Sequence, residues 1–459
     1  RYCKNICNIS LLLDKILVRY KRTIVHINGR IIILSRVDVM KKTVCELFAG
    51  VGGFRLGLEK TGNDWETVWF SQWEPSRKAQ WAHDCYVQHW GDIDEYTGID
   101  IAAVNKMNIP EHTLLVGGFP CQNYSVAASK SSRGIEGEKG VLWWQIRDTL
   151  IAKRPPFVLL ENVDRLLKSP ATQRGRDFGI MLTCFAQLGY RVEWRVINAA
   201  EYGAAQRRRR IFIYAYRKDT NYAAEMESVS AEDIISKEGF FAKTFPIESA
   251  GRINSVKASS CDISEINSDI LLSEGYPDSN VELINISNNF KFAFENTGLM
   301  VDGEIFTCTT SPIIEEPENM RDIAIKGAAE NFYISDEKME KWQYLKGAKR
   351  INRKSKNGHE YVFSEGAIEF PDSLDKPSRT MLTSEGSLNR STHVIKDPET
   401  GRLRLITPVE AERLQGFDDD WTNTGMPEKF RYFCMGNALV VPMVTRMGKT
   451  LGKIIEAEE

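Results

Sequence analysis

A short apolar run, Thr113 to Val116, is followed at once by two glycines and then by Phe119-Pro120-Cys121. Apolar runs of this length bounded by turn residues are typical of buried strands. The pattern places a thiol at the carboxyl end of a strand, and in an open α/β sheet these ends face the ligand crevice. We interpret Cys121 as a candidate nucleophile. The alternative is an inert, buried structural cysteine.

The stretch after this thiol, from Gln122 to Gly140, is rich in Ser, Gly, Lys and Glu and has almost no apolar periodicity. Such composition is typical of a surface loop rather than of a helix or a strand. We interpret the stretch as a mobile lid that closes over a substrate.

Composition limits what the chain can be. Its 459 residues, 42% hydrophobic and 27% charged, suit a soluble globular protein of two or three domains. The net charge of -2 gives no overall basic character, so a nucleic-acid-binding surface would have to be local. The 9 cysteines form no CxxC pair. We therefore expect reduced thiols, no metal site and a cytoplasmic location.

Residues 1–39 differ from the rest of the chain because they are basic and carry two short apolar runs, Ile9 to Leu13 and Ile31 to Leu34. Neither run is long enough for a secretory signal or a membrane span. A buried-strand pattern begins directly after Met40. We predict that the functional chain starts at Met40 and that residues 1–39 are a dispensable extension. The alternative is a basic arm that binds DNA.

The strand pattern after Met40 leads into Phe48-Ala49-Gly50-Val51-Gly52-Gly53 and then into a helical pattern. Glycines let the backbone approach a ligand at a helix amino terminus, although this spacing is not the dinucleotide fingerprint. A second strand ends about 20 residues later in Trp73-Glu74, where an acidic side chain usually holds a ribose diol. Together they predict a nucleoside-bearing cofactor. Trp73 either stacks on its base or fills the core, and Gly91-Asp92-Ile93 is either a third contact or a plain turn.

Two further strands have charged residues at one end. Phe157 to Leu160 runs into Glu161-Asn162, and burial would raise the pKa of this carboxyl and suit it to proton transfer near neutral pH. The alternative is a capping role. The run Gln206-Arg207-Arg208-Arg209-Arg210 feeds into another strand. Arg208 and Arg210 therefore share one face of it and are candidates to hold a carbonyl or a phosphate.

Strand and helix alternation fades between residues 219 and 376, which predicts a second, irregular domain. Within it, Lys341 to Lys356 contains basic and aromatic residues and no acidic one. This stretch is the best candidate for contacting phosphates, and a solvated basic loop is the alternative. Order returns at residues 377–459, where Thr407 to Phe417 predicts a capped helix with Pro408 at its first position and a glycine stop.

Taken in order, these motifs resemble those of the C5-cytosine DNA methyltransferases. The resemblance covers Thr43 to about Lys453, and it rests on Phe48-Ala49-Gly50-Val51-Gly52-Gly53, Pro120-Cys121-Gln122, Glu161-Asn162-Val163, Gln206-Arg207-Arg208-Arg209-Arg210, Arg379-Thr380 and Gly436-Asn437. Two positions depart from the family pattern. Pro75 follows the predicted ribose-binding acid, which puts the adenine contact in doubt, and Ala438 follows Asn437, which puts one polar cofactor contact in doubt.

The resemblance implies an α/β, Rossmann-like AdoMet-dependent methyltransferase domain, formed by residues 40–218 and 377–459, with a smaller, irregular target-recognition domain at 219–376. It implies that Cys121 attacks carbon 6 of a cytosine flipped out of the duplex. Glu161 would interact with ring nitrogen 3 and Arg210 with the exocyclic oxygen, supported by Asn162 and Arg208. S-adenosylmethionine would supply the methyl group for carbon 5. The implied cofactor-binding residues are Phe48, Gly50, Gly52, Gly53, Glu74, Asp92, Ile93, Pro120 and Asn437.

We predict double-stranded DNA as the substrate, contacted by Gln122, Ser125, Lys346, Lys349, Arg350, Arg353 and Lys354. We further expect a monomer in the bacterial cytoplasm, associated with the nucleoid through DNA and with no membrane contact, and a cognate restriction endonuclease that acts on the same site. Two alternatives stay open, a tRNA cytosine-5 methyltransferase and a catalytically silent DNA-binding member of the family. The long variable segment favours DNA, and intact Cys121, Glu161 and Arg210 favour an enzyme.

Overall fold

The computed structural model describes residues 22–27, 30–35, 40–75, 77–119, 141–257, 289–355 and 358–458. The strands are β1 (Arg22–Ile27), β2 (Arg30–Ser35), β3 (Thr43–Leu47), β4 (Glu66–Ser71), β5 (Leu114–Gly118), β6 (Phe157–Val163), β7 (Tyr190–Asn198), β8 (Arg209–Arg217), β9 (Ile247–Ala250), β10 (Asn254–Lys257), β11 (Thr297–Val301), β12 (Glu304–Cys308), β13 (Thr310–Pro312), β14 (Lys349–Lys354), β15 (Glu360–Glu365), β16 (Val394–Lys396) and β17 (Leu403–Leu405).

The α-helices are α1 (Gly53–Glu59), α2 (Trp81–Trp90), α3 (Val141–Lys153), α4 (Arg176–Gln187), α5 (Asn221–Met226), α6 (Ala231–Asp233), α7 (Phe240–Thr244), α8 (Met320–Ile323), α9 (Asp336–Lys346), α10 (Pro408–Gln415), α11 (Glu428–Asn437) and α12 (Val441–Glu456). The predicted helix after Thr407 is confirmed as α10. The Thr407 side chain accepts a hydrogen bond from Glu410 N, Pro408 is the first residue, and Gly416 ends the helix with a φ of 78°.

A nine-stranded mixed sheet forms the centre of the fold, in the order β10-β12-β11-β7-β8-β6-β5-β3-β4. Strands β4, β3, β5 and β6 are parallel to one another, whereas β8 runs antiparallel to β6. The carboxyl ends of the parallel strands therefore share one edge with the amino end of β8. This arrangement confirms the predicted α/β fold and brings the motif-bearing strand ends to the same edge.

Alternate residues of each buried strand pack on opposite faces of the sheet, as the period of a strand requires. In β5, Leu114 and Val116 join a core formed with α1 and the carboxyl-terminal helices α10 to α12. Leu115 joins a second core formed with α3 and α4. Helices α1 and α12 approach closely, because a Cβ on Gly57 would lie 2.6 Å from the Cβ of Val444. The sheet is thus covered on both faces, which explains its continuous apolar strands.

The segment predicted as a separate recognition domain also extends the central sheet. Strand β11 pairs antiparallel with β7, and β12 and β10 follow outside it. Asp302 and Gly303, with φ angles of 50° and 79°, form the two-residue turn between β11 and β12, and an Asp-Gly pair is a strong hairpin signal. Sequence periodicity missed these strands because they are short. The boundaries at 219 and 376 stay a prediction.

Strands β1 and β2 pair with each other and, among the described strands, with no other. They lie within the segment predicted to be dispensable. No helix of the described ranges has the length and apolar character needed to cross a membrane.

Candidate active site

The turn between β3 and α1 has a backbone geometry that few residue types adopt. Phe48, Gly50 and Gly52 have φ angles of 55°, 59° and 85°. A left-handed conformation is costly for phenylalanine, and such strain concentrates at functional sites. A Cβ at Gly52 would lie 2.2 Å from the Trp90 ring. The turn therefore needs glycine for space as well as for conformation.

Hydrogen bonds from two distant elements hold this turn. Gly50 N donates to Gln72 Oε1 at 2.7 Å, which ties the turn to the end of β4. Trp421 Nε1 donates to Val51 O at 2.9 Å, which ties it to the loop after α10. Next to the turn, Gly53 begins α1. The turn is thus fixed before any ligand arrives.

The last motif of the chain approaches the same turn. A Cβ on Gly53 would lie 3.1 Å from the Leu439 side chain, two residues beyond Asn437. Asn437 is exposed at the end of α11. Gly436 is required before it, because a Cβ there would lie 2.4 Å from Thr383 N. The first and last predicted cofactor motifs are therefore neighbours in the fold.

Glu74, the predicted ribose-binding acid, is buried, and it lies three residues after β4, which ends at Ser71 rather than at Glu74. Its backbone N donates to Gln80 Oε1 at 2.7 Å, so the residue is held in place. Its Oε2 atom is buried and has no hydrogen-bond partner among the described residues. Burial is the largest influence on the carboxyl and raises its pKa, while Arg77 acts in the opposite direction. A buried acceptor without a donor fits the hydroxyl groups of a ribose.

Exposed apolar side chains accompany this acid. Trp73 and Ile93 are 39% and 42% exposed, so each leaves apolar surface open that a ligand can cover. Asp92 is joined to the same edge through Thr97, whose Oγ1 donates to Asp92 Oδ1 at 2.5 Å. The Thr97 carbonyl in turn accepts from Gln72 N at 2.9 Å. The residues present thus fit a nucleoside, with apolar surface for the base and carboxylates for the sugar.

Glu161 and Arg210 form a buried ion pair at the end of β6, with Arg210 Nε 2.8 Å from Glu161 Oε1. The register explains the contact, because Glu161 pairs with Phe212 and Val163 with Arg210, which places both charged side chains on one face. Burial raises the pKa of Glu161, and the cations of Arg210 and Arg208 partly oppose the rise. A Cβ on Gly118 would lie 3.3 Å from Glu161 Oε2. The carboxyl therefore lies beside the end of β5.

Asn162 holds the peptide that leads into the Pro-Cys motif. Its Nδ2 donates to Phe119 O at 2.8 Å, and Val163 N donates to Asn162 Oδ1 at 2.8 Å. Phe119 is the last described residue before residues 120–140. The predictions for Pro120, Cys121, Gln122 and Ser125, and for the lid, lie outside the described residues.

Arg208 has a different environment from Arg210. It is 1% exposed, and its NH1 and NH2 groups donate to Met381 O at 3.2 Å and Gly436 O at 2.9 Å. Burial, aided by Arg210, lowers the pKa of its guanidinium to about 9, which Glu161 opposes. Because its NH1 and NH2 groups both donate to backbone carbonyls, Arg208 is placed to connect two distant segments of the chain rather than to hold a ligand.

The predicted DNA contacts separate into buried and exposed residues. Lys346 requires a correction, because it is 1% exposed and donates to Thr392 O, so it is not available to a phosphate. It lies one helical turn after buried Trp342, on the inward side of α9. Lys349 is partly buried, whereas Arg350, Arg353 and Lys354 are exposed on the β14–β15 hairpin.

Sequence reasoning missed some of the residues that shape this site. Gln72 and Trp421 were not singled out, and Trp421 lies 370 positions away from Val51, which it contacts. Glu46 was also missed, although it is a carboxyl within the apolar strand β3. It is buried and accepts a hydrogen bond from Tyr86 OH at 3.1 Å. A charged residue in a buried strand was the available signal for Glu46.

Comparison with known proteins agrees with this geometry. Residues 42–453 match the family model described as C-5 cytosine-specific DNA methylase. The chain is 50% identical to the Type II methyltransferase M.Sau3AI of Staphylococcus aureus, covering 90% of this chain and 96% of that protein. It is 26% identical to the Type II methyltransferase M.NlaIV of Neisseria lactamica, covering 88% and 97%.

A solved structure gives a likeness of fold. The S. pombe Dnmt2 methyltransferase superposes with a TM-score of 0.53 at 14% identity, covering 90% of this chain and 98% of that one. At this identity the likeness concerns the fold alone. In the described part of the chain, no group of three His, Cys, Asp or Glu side chains is placed to hold a metal ion.

Proposed function

The chain belongs to the C-5 cytosine-specific DNA methylase family, and from this premise we propose that Cys121, Glu161 and Arg210 carry the chemistry of its active site. It is a DNA (cytosine-5-)-methyltransferase of the type II class. The observation that supports the assignment of residues is the buried Glu161–Arg210 pair. This pair lies beside Gly118, and Asn162 grips the peptide just before Pro120-Cys121.

The proposed reaction begins at carbon 6 of the cytosine because carbon 5 is a poor nucleophile on its own. The Cys121 thiolate forms a bond to carbon 6 and pushes an electron pair into the ring. That pair would then form the bond between carbon 5 and the incoming methyl group, as the bond from that methyl carbon to the donor's sulfur breaks and leaves its electron pair on the sulfur. Loss of the carbon 5 proton to a base returns electrons to the ring, the bond between sulfur and carbon 6 breaks, and the thiolate leaves.

Glu161 is suited to help the first step. Its raised pKa keeps a proton on the carboxyl at higher pH than usual, and this proton can be given to or shared with ring nitrogen 3. The Arg210 guanidinium lies on the same face of the sheet and its side chain is 16% exposed, so it can donate to the exocyclic oxygen of the ring. Arg208 and Asn162 act as positioning residues in this proposal.

S-adenosylmethionine is the proposed cofactor, as the family's methyl donor, and it supplies an electrophilic methyl group on sulfur. Glu74 would accept hydrogen bonds from its ribose, with Asp92 nearby. Trp73 and Ile93 would cover its base, and the strained turn at Phe48 would receive the rest through backbone groups, beside Gly50, Gly52, Gly53 and Asn437. Pro120 completes the proposed set.

Double-stranded DNA is the proposed substrate, contacted in part by residues of the 219–376 segment and by Gln122 and Ser125. Carbon 5 of a stacked cytosine is out of reach, so the target base would leave the helix during the reaction. We place the enzyme in a bacterial cytoplasm as a monomer. There it would protect the sites cut by a cognate restriction endonuclease.

The decisive experiment is bisulfite sequencing of plasmid DNA from cells that express either the wild-type chain or Cys121→Ala. We expect protected cytosines in one short sequence context with the wild type and none with the variant. Calorimetric binding of S-adenosylmethionine to both proteins is the control for folding. Absence of protection with a folded, cofactor-binding wild type would overturn DNA as the substrate, and tRNA would then be tested in the same assay.

A further inference from the structure

The β14–β15 hairpin has two faces of different character. The strands pair antiparallel from Lys349↔Glu365 to Lys354↔Glu360, so alternate residues share a face. We call one set the inner face: Lys349, Ile351, Arg353, Tyr361, Phe363 and Glu365. We call the other set the outer face: Arg350, Asn352, Lys354, Glu360, Val362 and Ser364.

Most side chains of the inner face contact other residues of the protein, whereas Tyr361 is 43% exposed. Lys349 Nζ donates to Leu345 O at 3.2 Å and lies 3.5 Å from Glu365. The Arg353 guanidinium lies over the Phe363 ring, 4.0 Å from its centroid. Ile351 and Phe363 are half-buried. This face therefore serves to hold the hairpin against the end of α9.

Arg390 fixes the base of the hairpin. Its NH1 group donates to Leu345 O at 3.1 Å and to Gly347 O at 3.2 Å, its NH2 group donates to Gly366 O, and its Nε lies 3.1 Å from Glu365. One guanidinium thus joins the chain before β14 to the chain after β15. The direction in which the hairpin projects is set in advance of any partner.

All six residues of the outer face are exposed. Arg350, Asn352 and Ser364 make no side-chain hydrogen bond or ion pair with any residue the structure describes, and Val362 is 48% exposed. Lys354 lies 3.7 Å from Glu360 near the hairpin tip. The two-stranded ribbon thus presents a guanidinium, an amide, a methyl-bearing side chain and a hydroxyl, each without a partner among the described residues.

We propose that the outer face enters the major groove of DNA and reads base pairs there. This rests on the proposed DNA substrate and identifies which residues of the chain select the sequence. The major groove of DNA admits a two-stranded ribbon. Within this groove, arginine pairs best with guanine, asparagine pairs with adenine, and an apolar side chain contacts the thymine methyl. Arg350, Asn352 and Val362 match these three modes, and the unpaired positive charge of Arg350 suits the polyanion.

The hairpin is also connected to the catalytic face of the sheet. Thr392 O accepts hydrogen bonds from Lys346 beneath the hairpin and from Arg379 NH2 at 3.5 Å. Thr380, which follows Arg379, donates from its Oγ1 to Arg207 O at 2.6 Å. Arg207 lies three residues before Arg210. These contacts connect the outer face of the hairpin to the strand that carries Arg210, the proposed catalytic arginine.

The experiment measures sequence preference. Plasmid libraries with randomised positions around a cytosine are methylated by purified wild type, R350A, R350K, N352A and R353A, and the products are sequenced after bisulfite treatment. We expect R350A and N352A each to relax the preference at one base pair and to lower kcat/KM on the preferred site by about 10- to 100-fold. R350K keeps the charge, so the salt dependence of DNA binding stays, but the preference relaxes.

R353A is the matched control, since it removes the same charge from the inner face. It should weaken binding to all sequences alike and leave the preference unchanged. Wild-type preference at every position in R350A, R350K and N352A would overturn the proposal. A folded wild type that methylates no cytosine would instead overturn the proposed substrate. Circular dichroism establishes folding, and R350K and N352A keep the test decisive if R350A does not fold.

Discussion

At the scale of single residues, Glu161 is where burial and charge oppose each other most directly. Desolvation raises the pKa of its carboxyl, and the cations of Arg210 and Arg208 hold the rise in check. Complete burial without them would make the acid too weak to give up its proton, and full solvation would leave it ionised at neutral pH. The environment thus favours a carboxyl that keeps its proton to a higher pH than an exposed glutamate does.

Glu161→Gln should lower kcat by about 100- to 10,000-fold, because an amide can donate a hydrogen bond but cannot transfer a proton. The protonated acid is present below its pKa, so the wild-type rate should fall as pH rises through that pKa. The variant should lack this decline. Single-turnover methyl transfer across neutral pH measures both effects. A variant with the wild-type rate and pH profile would remove Glu161 from the mechanism.

Glu46 offers a test of stability against pH. Burial raises the pKa of its carboxyl from 4.5 to about 8, with the Tyr86 hydrogen bond opposing the rise. Between these values the folded chain keeps a proton that the unfolded chain loses. The free energy of unfolding should therefore fall as pH rises across this window, by about 1.4 kcal/mol per pH unit at most.

Glu46→Gln should flatten this decline, and it should stabilise the protein more at the alkaline end of the window than at the acidic end. Denaturant unfolding at both ends measures the difference. Glu66→Gln, which removes an exposed carboxylate from β4, is the matched control and should keep the wild-type slope. An unchanged slope in Glu46→Gln would show that this carboxyl stays ionised when folded.

Residue types at strand ends were the most informative part of the sequence. Glu161 and Arg210 were identified from their positions beside apolar runs, and the structure brings them into contact. Lys346 was assigned wrongly because a cluster of basic residues says nothing about which side of a helix is buried. The buried Trp342, four residues earlier, was the available signal.

At the scale of elements, the loop after α10 holds the glycine turn through one side chain. Trp421 stacks on His89 with ring centroids 3.6 Å apart, and its Nε1 donates to Val51 O. A turn with a strained Phe48 persists only where its surroundings determine it. Trp421 therefore acts on the proposed cofactor site as a positioning residue.

Trp421→Phe keeps an aromatic ring but removes the donor, so S-adenosylmethionine should bind about 5- to 10-fold more weakly, as expected for one lost hydrogen bond. Titration calorimetry measures the affinity. Trp65→Phe is the matched control, because the buried Trp65 Nε1 has no hydrogen-bond partner among the described residues. It should bind the cofactor as the wild type does, and equal affinity in both variants would contradict the positioning role.

Elements differed in how well the sequence predicted them. Strand β6 contains the predicted run Phe157 to Leu160, because a continuous apolar run bounded by turn residues is a strong strand signal. Strands β10 to β12 were missed since four or five residues give little periodicity. The Asp302-Gly303 turn was a better indicator of that hairpin than the strands themselves.

At the scale of the whole molecule, the site is assembled from segments far apart in the chain. Arg208 contacts Gly436, 228 positions later, and Gln206 Oε1 accepts from Met381 N across 175 positions. Motif order predicted which residues matter, but local patterns contain no information about which loops meet. The geometry of the site therefore had to come from the fold.

The strands described within residues 1–39 lie outside the nine-stranded sheet. Strands β1 and β2 pair with each other rather than with the nine-stranded sheet. The family match begins at residue 42, and the first residue of the central core is Val44. A chain that starts at Met40 retains every described strand of that sheet.

A truncated chain of residues 40–459 should therefore unfold at the wild-type denaturant concentration and methylate DNA within about twofold of the wild-type rate, since it retains every described strand of the nine-stranded sheet. DNA binding measured over a range of salt concentrations tests the alternative, a basic arm. Loss of phosphate contacts would reduce the slope of affinity against salt. An unchanged slope supports a dispensable extension, a reduced slope identifies the arm, and failure to fold would show that these residues belong to the core.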